Sequence, residues 1–169
     1  DFEEGFKTLF NNYQRDLGYS VPLFYGQVGA SGHSAFVGKD AVMTGIRTAQ
    51  YNCDNGKDLI MATTEFDLAK NADDLHYTTK SQSILGERMA NAILYYYGDS
   101  SYYRGPELLS AAFADDSRQK IELSIRHFGG NDLEVPENAT GFTVVDGDKV
   151  ITPVSVEKVN GSTVRIILS

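Results

Sequence analysis

Asp73-Asp74-Leu75-His76 brings together residue types that move protons, at a spacing that one short turn can close. The segment runs on through Tyr77, Thr78 and Thr79 in a polar stretch. A carboxylate on such a turn can accept a hydrogen bond from the imidazole. That bond selects one tautomer and leaves the other ring nitrogen free to act as general base on a hydroxyl. The same spacing also suits a plain surface loop, and both Asp73 and Asp74 are close enough in sequence to serve.

A second polar cluster is Gly29-Ala30-Ser31-Gly32-His33-Ser34. A serine in a Gly-rich turn after an apolar run suggests a nucleophile elbow, but no Gly-x-Ser-x-Gly is present. His33 and Ser34 read either as residues lining a substrate cleft or as ordinary loop residues. His127 falls in a strand-like run and reads as structural. Cys53, the only cysteine, cannot form an internal disulfide. Its neighbours Asn52, Asp54, Asn55 and Gly56 suggest a loop whose acidic company raises the thiol, so a nucleophilic role is not expected. The histidines are too far apart for a metal motif, no calcium-loop spacing occurs, and no phosphate-binding glycine loop is present. No metal and no cofactor are expected.

The elements that must position these residues follow from periodicity. A helix is expected over 1–17, where Phe2, Phe6, Leu9, Phe10, Tyr13 and Leu17 recur at helical spacing and Gly18 follows as a stop. A buried strand is expected over 21–28, a helix over 39–51 with Val42, Ile46 and Ala49 on its inner face, and a short buried strand over 58–63. The Asp/His segment comes next. A third helix is expected over 81–97, with Ile84, Leu85, Met89, Ala92, Ile93 and Tyr96 inward. Alternation of helix and strand implies a parallel sheet with covering helices, and open sheets of that kind carry their sites at the carboxyl ends of the strands. After Gly98 the texture changes. Runs at 108–113, 120–126, 142–145, 150–158 and 163–168 alternate like strands. Turn signals at Asp115-Asp116-Ser117, Asp146-Gly147-Asp148 and Asn160-Gly161 separate them. The boundary is placed at Gly105-Pro106, giving parts 1–104 and 105–169.

With 169 residues the chain can bury a real core. Net charge is −8 without a Lys/Arg cluster, which argues against nucleic acid and anionic membranes as partners. No run approaches the roughly 18 apolar residues of a membrane span. No basic, then apolar, leader is visible at the start. Asp1-Phe2-Glu3-Glu4 reads as the start of a helix within a longer protein. Asn138-Ala139-Thr140 and Asn160-Gly161-Ser162 are formal glycosylation sequons, the second also suiting a hairpin turn.

The Asp/His segment resembles the last conserved block of the SGNH-type serine esterases, in the carbohydrate-esterase branch of sialate O-acetylesterases and acetylxylan esterases. There an Asp-Gly-x-His turn supplies two members of a Ser-His-Asp triad ahead of the final helix. Asp73, Asp74 at the Gly position, Leu75 and His76 match it, and Thr78, Thr79, Gln82, Gly86 and Arg88 fit the same pattern. Ile46-Arg47-Thr48-Ala49-Gln50 resembles the family's Arg-x-Ala-Gln helix segment, in the expected order and with a fitting strand between. The resemblance implies His76 as catalytic base and Asp73 as its acid; branches with the acid two residues before the histidine would give that role to Asp74.

The family's nucleophile sits in an N-terminal Gly-Asp-Ser block, and a later Gly-x-Asn-Asp block helps form the oxyanion hole. Gly98-Asp99-Ser100 and Gly129-Gly130-Asn131-Asp132 spell similar strings, but in the wrong order and context, and read as turns. The resemblance therefore implies an α/β fold: the C-terminal half of a flavodoxin-like, three-layer SGNH parallel sheet, followed by a small antiparallel β module. Its expected partners are an acetylated carbohydrate and the missing N-terminal half of the esterase domain. An extracellular, periplasmic or phage-tail setting suits such a protein better than the cytoplasm. The competing reading is a non-catalytic carbohydrate- or receptor-binding module, whose Tyr95-Tyr96-Tyr97 and Tyr102-Tyr103 clusters would stack on sugars.

Overall fold

The structure is a computed structural model that describes residues 1–102, 105–127, 132–137 and 139–169. The Gly129-Gly130-Asn131 string, Asn138 of the first sequon and Tyr103 lie outside the described residues. The chain divides into two compact units, Asp1–Asp99 and Ser100–Ser169, a few residues ahead of Gly105-Pro106.

The first unit runs α1 (Phe2–Leu17), β1 (Leu23–Gln27), α2 (Asp40–Cys53), β2 (Leu59–Thr64) and α3 (Thr79–Tyr96). Asp1 starts α1 by accepting the Glu4 amide at 2.9 Å, and Gly18, at φ 74°, closes it in the left-handed conformation that glycine adopts freely. Gln14 then clasps the returning chain, donating to Val21 O at 2.6 Å and accepting from Val21 N at 2.8 Å.

β1 and β2 pair in parallel from Leu23 opposite Leu59 to Gln27 opposite Thr64. Successive strand residues face opposite sides, and the contacts assign those sides. Tyr25 meets Phe6 of α1 edge-on at 5.0 Å and donates its hydroxyl to Gln50 O of α2 at 2.7 Å. Phe24 meets Tyr96 of α3 edge-on at 5.4 Å. Helices α1 and α2 therefore cover one face and α3 the other. Phe10, Tyr25, Cys53 and Leu59 form the buried centre, with Phe6, Leu23 and Met61 packed around it. Each large apolar side chain so buried contributes about 1.5–3 kcal/mol.

Two details differ from the sequence reading. Val42 is exposed, and the inner edge of α2 is carried by Met43, Ile46, Gln50 and Cys53. Cys53 is the last residue of α2 and is buried. Burial, ahead of the Glu3 charge, pushes its thiol up, against the pull of Lys7. Tyr96 faces inward as expected of the third helix, donating to Lys57 O at 2.6 Å and packing on Phe24.

The second unit holds β3 (Glu107–Phe113), β4 (Lys120–Arg126), β5 (Val144–Asp146), β6 (Lys149–Ile151), β7 (Ser155–Asn160) and β8 (Thr163–Ile167). Four of them make an antiparallel sheet in the order β3-β4-β8-β7, and β5-β6 is a separate hairpin turned by Gly147 at φ 59°. The run expected as one strand over 150–158 is broken between Ile151 and Ser155. Pro153 lies in the gap and has no N–H to give a ladder. Val156, Val164, Ile166 and Leu168 are its buried core. Arg165 ties the sheet across three strands, 2.6 Å from Glu122 and 3.1 Å from Glu157. His127 reaches Gly161 O with Nε2 at 2.7 Å, holding the β7–β8 turn, which is a structural duty. Ser162 N–H donates to Asn160 Oδ1 at 2.9 Å, so the second sequon is that turn.

Candidate active site

The connection from β2 to α3 is a self-bonded loop. Asn71 N–H donates to His76 O at 2.8 Å, Asp74 N–H to Asn71 O at 2.9 Å and Thr78 N–H to Ala69 O at 3.1 Å. Lys70 and Tyr77 form an antiparallel bridge across it. Thr78 caps α3 by accepting Ser81 N–H at 3.2 Å, and Ser81 Oγ donates back to Ala69 O at 2.7 Å. Arg88 forks onto Asp67 at 2.8 and 2.5 Å, fastening the start of the loop to α3.

Within this frame Asp73 makes an Asx turn. Its Oδ1 accepts Leu75 N–H at 3.0 Å and His76 N–H at 3.1 Å. That turn aims Oδ2 at the imidazole, and His76 Nδ1 lies 2.6 Å from it. The His76 side chain is 72% exposed. The contact assigns the proton to Nδ1, donating to the carboxylate, and leaves Nε2 as the open acceptor. The His76 ring N–H first, then the backbone N–H groups of Leu75 and His76, hold the Asp73 carboxyl well below its ordinary 3.8. A carboxyl depressed on folding adds stability above its unfolded value and loses it only as pH falls through the lower folded value. Asp73 therefore stays ionised through the neutral and mildly acidic range.

Asp74 does something else. Its backbone is left-handed at φ 51°, the conformation a glycine at this position would adopt freely and Asp tolerates. Its Oδ2 accepts Gly32 N–H at 2.7 Å, and its carbonyl accepts Ser31 Oγ–H at 2.6 Å. A Cβ on Gly32 would run into that carboxylate. Asp74 thus latches the loop after β1 to the loop after β2. Behind the latch, His33 is half-buried and its Nδ1 accepts Ala35 N–H at 3.2 Å, which leaves Nε2 carrying the proton as a donor. Ser34 is exposed in the same turn. The structure brings the 31–34 and 73–76 segments together through Asp74.

The Arg47–Gln50 segment supports the carboxyl end of β1. Gln50 donates to Gly26 O at 3.2 Å and accepts Val28 N–H at 3.1 Å, and Gln27 donates to Arg47 O at 3.0 Å. The Arg47 guanidinium sits over the Phe66 ring at 5.4 Å. Spacing did not reveal Glu65 and Tyr77, whose oxygens meet at 2.7 Å. Burial first, then that contact, pushes the Tyr77 hydroxyl up to about 12. Gly98, at φ 95°, closes α3 with Gly98 N–H on Tyr95 O, so Gly98-Asp99-Ser100 begins as a helix-ending turn. It stands at the far end of an 18-residue helix, about 27 Å at 1.5 Å per residue.

The acid-oriented histidine thus stands at the carboxyl end of the parallel strand pair. The family model of carbohydrate esterase, sialic acid-specific acetylesterase, matches residues 1–95, and the chain belongs to that family. Among solved structures, a carbohydrate acetylesterase from Xanthomonas citri superposes with a TM-score of 0.73 at 21% identity, over 98% of this chain and 37% of that one. At that identity the likeness is one of fold, and the chain spans little more than a third of that enzyme's length. No curated protein matches the chain.

Proposed function

We propose that this chain is the C-terminal portion of a serine carbohydrate O-acetylesterase and supplies the His and Asp of its triad. The observation that carries the reading is the 2.6 Å contact between His76 Nδ1 and Asp73 Oδ2, with the ring otherwise open to solvent. The nucleophilic serine belongs to the remainder of the protein. Its Oγ attacks the acetyl carbonyl while its proton passes to His76 Nε2. The tetrahedral intermediate collapses, the C–O bond to the sugar breaks, and Nε2 returns the proton to the leaving sugar oxygen. Water then attacks the acetyl-serine with Nε2 again as base, releasing acetate and the free serine. Asp73 accepts the Nδ1 proton's hydrogen bond throughout and stabilises the imidazolium. His33 Nε2–H and Ser34 face the substrate as donors.

In this reading β1 and β2 are two strands of a larger flavodoxin-like sheet, and the remaining strands add to the free edge of β1. The exposed Phe2, Leu9, Tyr13 and Leu17 on α1 fit a helix that packs against such further elements. The binding-module reading is disfavoured at one of its aromatics, since Tyr96 is engaged with Phe24 and Lys57.

The reading predicts that residues 1–169 alone hydrolyse a chromogenic acetyl ester little faster than buffer, while the complete protein turns it over. Robust hydrolysis by the isolated chain would place the nucleophile within it and defeat the fragment assignment.

A further inference from the structure

We propose that Tyr77 is a positioning residue for His76, acting through a hydroxyl that ties the histidine loop to the carboxyl end of β2, against that of β1. The inference rests on the esterase reading for its consequence in turnover, but its geometry stands apart from it. Tyr77 directly follows His76. Its hydroxyl donates to Glu65 Oε2 at 2.7 Å, and Glu65 is the first residue after β2. The same hydroxyl stands close to Gly29, two residues past β1, where a Cβ would come within 3.1 Å of it. The oxygen therefore bonds to the end of β2 and lies against the end of β1.

The surroundings are shaped for this bridge. A Cβ on Gly29 would lie 2.7 Å from Glu65 O and 3.1 Å from the Tyr77 hydroxyl, and one on Gly26 would lie 2.6 Å from Glu65 Oε1. Glycine at both places lets the Glu65 side chain and the phenol close on β1. The Lys70 ammonium lies 5.4 Å over the Tyr77 ring and also donates to Ala30 O, so the ring is held from its face as well as its tip. The loop itself is largely exposed. His76 and Asp73 bond chiefly to each other and to their own turn, and that turn must be fixed to the scaffold by something. Gly32 and Ser31 hold it on one side through Asp74. Tyr77 holds it to the strands.

A misplacement of about 1 Å of a catalytic group can cost up to about 10²-fold in rate. Tyr77→Phe keeps the ring and its packing and deletes only the bridging hydroxyl. In the complete protein we expect kcat for an acetyl ester to fall about 10- to 100-fold, with KM changed by less than about 3-fold. Glu65→Ala should behave like Tyr77→Phe, and Glu65→Gln, which retains an oxygen acceptor, should keep most of the turnover. The ¹⁵N shifts of His76, read in the complete protein with labelled histidine, give a second readout. In the wild type they should report the Nδ1–H tautomer that Asp73 holds within the turn, and in Tyr77→Phe they should shift as the turn loosens from the strands. Unchanged kcat and unchanged nitrogen shifts in a folded Tyr77→Phe protein would overturn the inference. Shifts that move in a protein whose wild type hydrolyses no acetyl ester would uphold the positioning role and sink the esterase reading instead. Wild-type hydrolysis whose kcat and nitrogen shifts both fail to respond to Tyr77→Phe would do the reverse.

Discussion

Replacing His76 with alanine in the complete protein is expected to lower acetyl-ester turnover by about 10⁴-fold or more, while the melting temperature stays nearly unchanged. The size of the loss follows from the chemistry. In the proposed mechanism, removing Nε2 leaves no group placed to take the serine proton or to return it to the leaving sugar. The residual rate then comes from binding and oxyanion contacts alone. The small effect on folding follows from exposure. The His76 side chain is 72% exposed, and its partner is the carboxylate three residues earlier in its own turn, so no core contact is lost. Steady-state kinetics and a thermal melt on the same preparations check both halves. A His76→Ala protein within about tenfold of wild type would mean that some other base serves, since a positioned general base is worth 10²–10⁴ or more.

The doubled acid gives the second large contrast. Asp73→Asn is expected to lower kcat by about 10³- to 10⁴-fold, because an amide cannot hold the Nδ1–H tautomer or stabilise the imidazolium. Asp74→Asn should cost less than about 3-fold. Asn also tolerates the left-handed backbone that Asp74 adopts at φ 51°, and its amide oxygen can still accept the Gly32 N–H. The order of the two effects matters more than either size. If Asp74→Asn were the crippled variant, the family branches with the acid two residues before the histidine would be the right comparison.

Spacing could not decide between the two acids, since a tight turn puts either carboxylate near the ring. What decides is the backbone. Asp73 Oδ1 is taken by the amides of Leu75 and His76, which aims Oδ2 at Nδ1, whereas the left-handed Asp74 points toward Gly32. The helices were legible because Asp1 and Gly18 mark the ends of α1 and apolar residues recur at helical period, whereas α3, expected from 81, starts at Thr79 behind its Thr78 cap. Their inner faces were less so. Apolar residues sit on more than one side of α1 and α2, and Leu9, Tyr13 and Val42 are exposed in this chain. The Tyr77–Glu65 bridge and the Ser31–Asp74 latch escaped entirely. Such contacts join residues 12 and 43 positions apart, and local periodicity carries no trace of them. In the second unit, the apolar alternation from 150 onward looked like one strand, and Pro153 interrupts it.

The proposed triad turns on where the nucleophile is and what activates it. The complete protein should be treated with a serine-directed phosphonate and the adduct mapped by mass spectrometry, beside the His76→Ala variant. The account predicts modification of a serine outside residues 1–169, at a rate that collapses when His76 is removed. An adduct on Ser31, Ser34 or Ser100, or labelling that proceeds undiminished without His76, would contradict it.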